Sequence, residues 1–416
     1  MKHIIILGDG MSDHKVQALD NKTPLAYQRP FYINKLAREG RCGMLRTIPA
    51  NFPPGSEVAN TAILGYDLNK VYEGRGPLEA ASIGYEMQED DLAIRCNIIT
   101  LENDKIITHN GGNLQTEEAS ILIDYLNEHL ANDKVRFITG IQYRHLLIIK
   151  GGNKNIICNP PHDHPNEYWK PLLVKAVENA EENNSHHNAT MSPQETADLI
   201  NELIIKSQDL LSRHQINIKR KEEGKRQANS IWPWSGGYRP SMQKLSDIYP
   251  QVRSGAVITA VDLIKGIGHY AGLQIINVEG ATGLANTNYE GKAQAAIDAL
   301  KVSDFVFVHV EATDEAGHDG DIALKLKAID YLDQRLLKPI IKAIEEMDEP
   351  VCVAVLPDHP TPVEMRIHVN EPVPFLIWHK DISADEVHYY DEESCQQGAY
   401  GTLESDEFIK EFMSIN

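Results

Sequence analysis

Three short runs of the chain are apolar at nearly every position and then stop at small and acidic residues. Ile4-Ile5-Ile6-Leu7 leads into Gly8-Asp9-Gly10, residues 305–310 lead into Glu311-Ala312-Thr313-Asp314, and residues 351–356 lead into Pro357-Asp358-His359. A run without polar alternation predicts a strand buried on both faces. Residues 289–300 and 322–347 read as helices between such strands. Strands alternating with helices predict an α/β fold, a mainly parallel sheet flanked by helices. In such sheets ligands gather outside the carboxyl ends of the strands. Asp9, Asp314, Asp358 and His359 all stand just past such ends.

The stretch 84–190 has a different texture. It offers short strand-like pieces at 92–99, 105–108 and 145–150 and a helix at 117–130, which predicts a smaller α+β domain inserted into a larger one formed by 1–83 and 191–416. The polar, Asn-rich segment 178–189 reads as a loop. Ser192-Pro193-Gln194-Glu195 is a capping box with proline at the first helical position, opening a helix to about residue 214. The basic run Lys219-Arg220-Lys221, with Lys225-Arg226 beyond it, reads as a solvated charged turn with substrate binding as the alternative.

A length of 416 residues fits two domains. The formal net charge of −20 has the wrong sign for a general nucleic-acid binder. Cys42, Cys96, Cys158, Cys352 and Cys395 form no close pair, which points to a reducing compartment. The first apolar run is too short for a leader, and none is long enough to cross a bilayer, so the expectation is a cytoplasmic protein that binds neither membrane nor nucleic acid. The oligomeric state is not legible.

Asp314 and His318 are four residues apart, which on a helix turns both side chains the same way. Asp358-His359 is an adjacent pair at a strand end, and His368 follows shortly after. Aspartate and histidine without thiolate suit Mn²⁺, Mg²⁺ or Zn²⁺, and two ions a few ångströms apart can clamp a phosphoryl group in transfer. In Pro53-Pro54-Gly55-Ser56-Glu57-Val58-Ala59-Asn60 the prolines and glycine make a rigid turn, followed by a helix at 57–64 that Gly65 ends. Ser56 is expected at its N-cap, where helix N–H groups favour a phosphate on its oxygen. A plain capping serine is the competing reading.

These residues, with Gly74-Arg75-Gly76-Pro77, Tyr143-Arg144-His145-Leu146 and Val278-Glu279-Gly280-Ala281-Thr282-Gly283, resemble the cofactor-independent phosphoglycerate mutases of archaeal type, within the alkaline phosphatase superfamily. The resemblance runs almost from end to end. It implies an alkaline-phosphatase-like catalytic domain, a substrate-closing inserted domain and two divalent ions, Mn²⁺ foremost with Mg²⁺, Zn²⁺ or Co²⁺ as alternatives. By position, Asp9, Ser56, Asp358 and His359 would hold one ion, and Asp314, His318 and His368 the other. Ser56 would carry the phosphate between 3-phosphoglycerate and 2-phosphoglycerate, a small phosphorylated substrate that Arg75, Arg144 and Lys265 would orient. The chain departs from the family where an Arg-rich stretch is replaced by Thr108-His109-Asn110-Gly111-Gly112-Asn113, removing bidentate partners for an anion. Pro357 replaces a glycine, and Ile231-Trp232-Pro233-Trp234 replaces an aliphatic strand. A homoserine kinase-like phosphotransferase with the same metal core is the alternative function.

Overall fold

The computed structural model describes residues 1–178 and 189–415. The loop expected at 178–189 therefore lies, but for its ends, outside the described residues. The chain divides into two compact units, Met1–Tyr72 with Ser241–Asn416, and Glu73–Pro240. The second unit is still an insertion in the first, but its limits are wider than 84–190.

The first unit is built on an eight-stranded sheet in the order Gln274–Ile276, Gly255–Ile258, Phe305–Val310, Lys2–Gly8, Val351–Leu356, Val373–Trp378, Arg41–Arg46, Thr402–Glu404. The first five strands are mutually parallel, and Val373–Trp378 runs antiparallel to both its neighbours. Ile4, Ile5, Ile6 and Leu7 are fully buried, as are Val353, Ala354 and Val355, so the all-apolar runs do mark strands covered on both faces. Because the three central strands are parallel, their carboxyl ends meet at one edge, where Asp9 donates its N–H to the Val310 carbonyl at 2.9 Å. Pro357 lies beyond Leu356, the last residue paired with Lys2–Gly8, and so costs the ladder no hydrogen bond.

The helix expected over 322–347 is interrupted. Ile322–Tyr331 and Lys338–Glu345 are α-helical, and Leu332–Leu337 between them is a π-helical turn. Pro339 in the last segment has no N–H for the carbonyl one turn back, and the wider turn absorbs that. Lys325, on the first segment, is completely buried. Its Nζ donates to Asp13 Oδ2 (2.6 Å) and to the carbonyls of Ser12 (3.2 Å) and Thr361 (2.8 Å). Removing the carboxylate strands a buried cation, so Asp13→Ala should lower unfolding free energy by about 3–5 kcal/mol. A shift in the urea midpoint tests this, and an unchanged midpoint would contradict it.

The second unit holds a five-stranded antiparallel sheet. Lys105–Thr108, Asp91–Glu102, Arg144–Lys150 and Val135–Ile141 follow one another, and Ser230–Gly237 also pairs with Asp91–Glu102. That last pairing draws the segment 191–240 into this unit. Pro233 is tolerated because its strand pairs on one side only. The capping box is present, with Ser192 and Glu195 each accepting the other's backbone N–H, and the helix it opens is Pro193–Arg213. Arg220 departs from the solvated reading of its basic run. It is buried, and its guanidinium donates to Glu118 Oε2 (2.6 Å) and to the carbonyls of Gly111 (3.0 Å), Gly112 (2.6 Å) and Arg226 (2.9 Å). Lys219, Lys221, Lys225 and Arg226 are exposed as expected. Among the described residues no helix is long and apolar enough to cross a membrane.

Candidate metal centre

Asp9 follows the strand Lys2–Gly8, and Gly10 then turns the chain with φ +60°. A Cβ at Gly10 would stand 2.6 Å from both Asp314 Oδ1 and Thr361 Oγ1, so only glycine admits this turn. The turn places Asp9 against Asp358 and His359, with one donor atom of each within 4.8 Å of the others and all three side chains buried. The Asp358 carboxylate is fixed from several sides. Its Oδ1 accepts from Gly10 N (3.1 Å) and His359 N (2.9 Å), and its Oδ2 accepts from Asn60 Nδ2 (2.9 Å). Asp9 Oδ1, by contrast, is buried with no hydrogen-bond partner among the described residues. Burial, and after it the charge of Asp358, raises Asp9 well above the usual carboxylate range. A buried carboxylate pair with an orphaned oxygen and a facing imidazole suits a hard or borderline divalent cation.

Ser56 opens the helix Ser56–Ile63, and its Oγ lies 3.3 Å from Asp9 Oδ2 and 3.2 Å from His359 Nε2. The N-cap is not Ser56 but Gly55, whose carbonyl accepts the N–H groups of Val58 (3.1 Å) and Ala59 (3.0 Å). Ser56 is the first helical residue, and its side chain is directed at Asp9 and His359 rather than back onto the helix. The capping reading of the serine therefore does not hold. Gly65, at φ +87°, ends the helix as expected.

The second cluster joins Asp314 and His318, one turn apart on the helix Ala312–Asp319, to His368. Asp314 Oδ2 and Oδ1 each lie 3.3 Å from an Nε2, of His318 and His368 respectively, and the two Nε2 atoms are 2.8 Å apart. His318 Nδ1 donates to the Arg366 carbonyl (3.0 Å), which aims its Nε2 at the cluster, an outer-shell arrangement common to metal-bound histidines. Burial works to raise Asp314, but hydrogen bonds from His318 and His368 hold it well below its ordinary value. The Thr361 hydroxyl touches both clusters, 2.5 Å from Asp314 Oδ1 and 3.3 Å from His359 Nδ1. The His359 and His368 rings are 4.0 Å apart.

The hydrogen bond to Asp314 pushes His318 up to about 9, against burial. Its folded value is thus above the unfolded one, so this stabilisation is complete below about pH 6.5 and fades as pH rises through about 9. A divalent ion held there would have to displace that proton. With the first cluster disabled by Asp358→Ala, Mn²⁺ affinity should climb with pH and level off near 9, which calorimetric titration can follow. An affinity independent of pH would contradict this.

The three basic residues singled out from the sequence are divided between the two units. Lys265, on the helix Asp262–Tyr270, lies in the first unit; that helix packs against the helix of Ser56, and Lys265 Nζ is 3.3 Å from Asp262 Oδ1. Arg75 and Arg144 are in the second unit, near a third guanidinium that sequence reasoning passed over. Arg95 is buried, pairs with Glu79 Oε1 at 2.8 Å and lies 4.7 Å from the Trp234 ring centroid. Burial lowers Arg95, Glu79 raises it, and the charges of Arg75 and Arg144 lower it further, which marks a cationic cluster. His162 lies between Trp234 and His109, at ring distances of 5.1 and 6.1 Å. His109, in the segment Thr108–Asn113, thus stands near the Arg95 guanidinium, and burial and then that charge lower it.

His309 also escapes a reading of the sequence, although a signal is present: it is the one polar side chain in the apolar run 305–310. It is fully buried beside Asp9, and burial pushes it down to about 3, leaving it neutral.

A serine hydroxyl beside one Asp/His donor set, with a second set joined to the first through Thr361 at the carboxyl edge of a parallel sheet, is the layout of a metal-dependent phosphoryl-transfer enzyme. The chain belongs to the family of 2,3-bisphosphoglycerate-independent phosphoglycerate mutases. Residues 37–217 match that family's description. A mutase so named from Methanosarcina acetivorans is 45% identical over 413 residues, covering 98% of both chains. Another, from Methanothermobacter thermautotrophicus, is 44% identical over 99% of this chain and 97% of its own. Among solved structures, a Pyrococcus horikoshii protein is 30% identical with a TM-score of 0.81, covering 99% of this chain and 96% of that one. The cofactor-independent phosphoglycerate mutase of Thermoplasma acidophilum shares the fold over the whole of both chains, with a TM-score of 0.67 at 24% identity.

Proposed function

We propose that this chain interconverts 3-phosphoglycerate and 2-phosphoglycerate through a phosphoserine on Ser56. The observation that carries the reading is the position of Ser56 Oγ, within 3.3 Å of both Asp9 and His359. Asp9, Ser56, Asp358 and His359 would hold one divalent ion, and Asp314, His318 and His368 a second. The orphaned Asp9 Oδ1 and the converging imidazole nitrogens fit such ions, with Mn²⁺ the first choice. When bound, the ions would lower the hydroxyl pKa of Ser56 and neutralise charge on the phosphoryl group. Ser56 Oγ attacks phosphorus, the bond to the C3 oxygen breaks, and that oxygen takes up a proton. The C2 hydroxyl then attacks the phosphoserine, loses its proton and frees Ser56. Lys265 of the first unit, and Arg75 and Arg144 of the second with Arg95 near those two, would bind the substrate's carboxylate and phosphate.

A specific feature favours a second reading, phosphorylation of a hydroxyl acceptor that carries no phosphate of its own, such as homoserine. The turn Thr108–Asn113 carries no guanidinium, and Arg220, which reaches its carbonyls, is committed to holding them. Side-by-side assays with Mn²⁺ separate the two: 3-phosphoglycerate without 2,3-bisphosphoglycerate, and homoserine with ATP. Turnover of the first, abolished by chelator, supports the mutase. Turnover of the second alone would replace it.

A further inference from the structure

His309 touches the first cluster without belonging to it. Its Nε2 lies 3.0 Å from Asp9 Oδ2 and its Nδ1 lies 3.3 Å from Thr259 Oγ1. It is absent from the set of side chains whose donor atoms converge within 4.8 Å. The backbone around it is fixed too, since the buried Lys292 Nζ donates to the His309 carbonyl at 3.0 Å.

The contacts choose a tautomer. Thr259 Oγ1 accepts from Val261 N (3.0 Å) and keeps its own proton to donate to His309 Nδ1 when that nitrogen is bare. The single N–H of the ring is then on Nε2, aimed at Asp9 Oδ2. Against the ionised carboxylate that a cation requires, a proton on Nδ1 instead would leave two lone pairs facing each other at 3.0 Å in a fully buried site. Asp9 Oδ2 thus has a donor, while Oδ1, 3.6 Å from His359 Nε2, has none among the described residues.

We propose that His309 is the positioning residue of the first cluster: its Nε2–H, set by Thr259, pins Asp9 Oδ2 and presents Oδ1 as the oxygen that meets the cation. The proposal rests on the reading of Asp9, Asp358 and His359 as a divalent-ion site. It differs from a structural role because it acts on one cluster only. A loosened core would weaken both.

Calorimetric titration with Mn²⁺ alone tests it in two backgrounds, His368→Ala to leave the first cluster and Asp358→Ala to leave the second. His309→Leu should weaken Mn²⁺ at the first cluster about 10–100-fold, the usual effect of losing an outer-shell partner, and leave the second unchanged. His309→Gln carries an amide N–H to about the same place and should recover most of the loss, which also covers the case of a poorly folded leucine variant. Thr259→Val should fall between them. Equal weakening of both clusters, no weakening of the first, or no rescue by glutamine would overturn the proposal. If His368→Ala protein with His309 intact takes up no Mn²⁺, the ion site itself fails, a result distinct from any of these.

Discussion

Ser56→Ala is expected to lower turnover by about 10⁴-fold or more while both ions stay bound, in line with the loss of a covalent nucleophile elsewhere. The size follows from the geometry. Ser56 Oγ is the hydroxyl directed at both Asp9 and His359, and alanine leaves no oxygen on that side for phosphorus. The helix should survive, since Gly55 supplies its N-cap and alanine is a good residue at the first helical position. Asp9, Asp358 and His359 remain to hold an ion. Metal content by elemental analysis and initial rates on one preparation decide the matter. Substantial turnover in the variant would exclude the phosphoserine route.

Asp358→Ala should remove one ion per chain and lower turnover by about 10³-fold or more, the equivalent of the several kcal/mol that an ion contributes to a phosphoryl-transfer transition state. Asp358 is the best-anchored carboxylate of the first cluster, and its loss also leaves Gly10 N–H and His359 N–H without their acceptor and Asn60 Nδ2 with the Ser56 carbonyl alone. The second cluster draws its donors from the helix Ala312–Asp319 and the segment around His368, and it should keep its ion. One ion retained per chain is the expected stoichiometry. Two retained ions with wild-type rates would show that Asp358 is no ligand.

Much of this centre is legible in the amino-acid sequence. The runs 4–7, 305–310 and 351–356 are buried on both faces where helices cover both sides of the sheet, an arrangement that goes with parallel strands and gathers Asp9, Asp314, Asp358 and His359 at one edge. The helical spacing of Asp314 and His318 carries over directly, as does the capping box at Ser192. What escapes is set by tertiary pairing. The limit of the second unit moves because Ser230–Gly237 pairs with Asp91–Glu102, a contact that no local pattern announces. Arg220 reads as one more surface charge until two glycine carbonyls and Glu118 surround it. Ser56 and Gly55 exchange capping roles through a one-residue difference in where the helix begins, the least certain feature of any sequence reading. His309 and Arg95 become visible only with their neighbours, although a histidine inside an apolar strand is itself the clue.

The central claim is that phosphate passes through Ser56, and rapid acid quench during turnover of 3-phosphoglycerate tests it most directly. Mass spectrometry of the quenched Mn²⁺-loaded protein should find phosphate on the Ser56 peptide, formed as fast as the reaction turns over and absent without substrate or after chelation. Full turnover with Ser56 unmodified at every quench time, or phosphate on another residue formed at that rate, would contradict it.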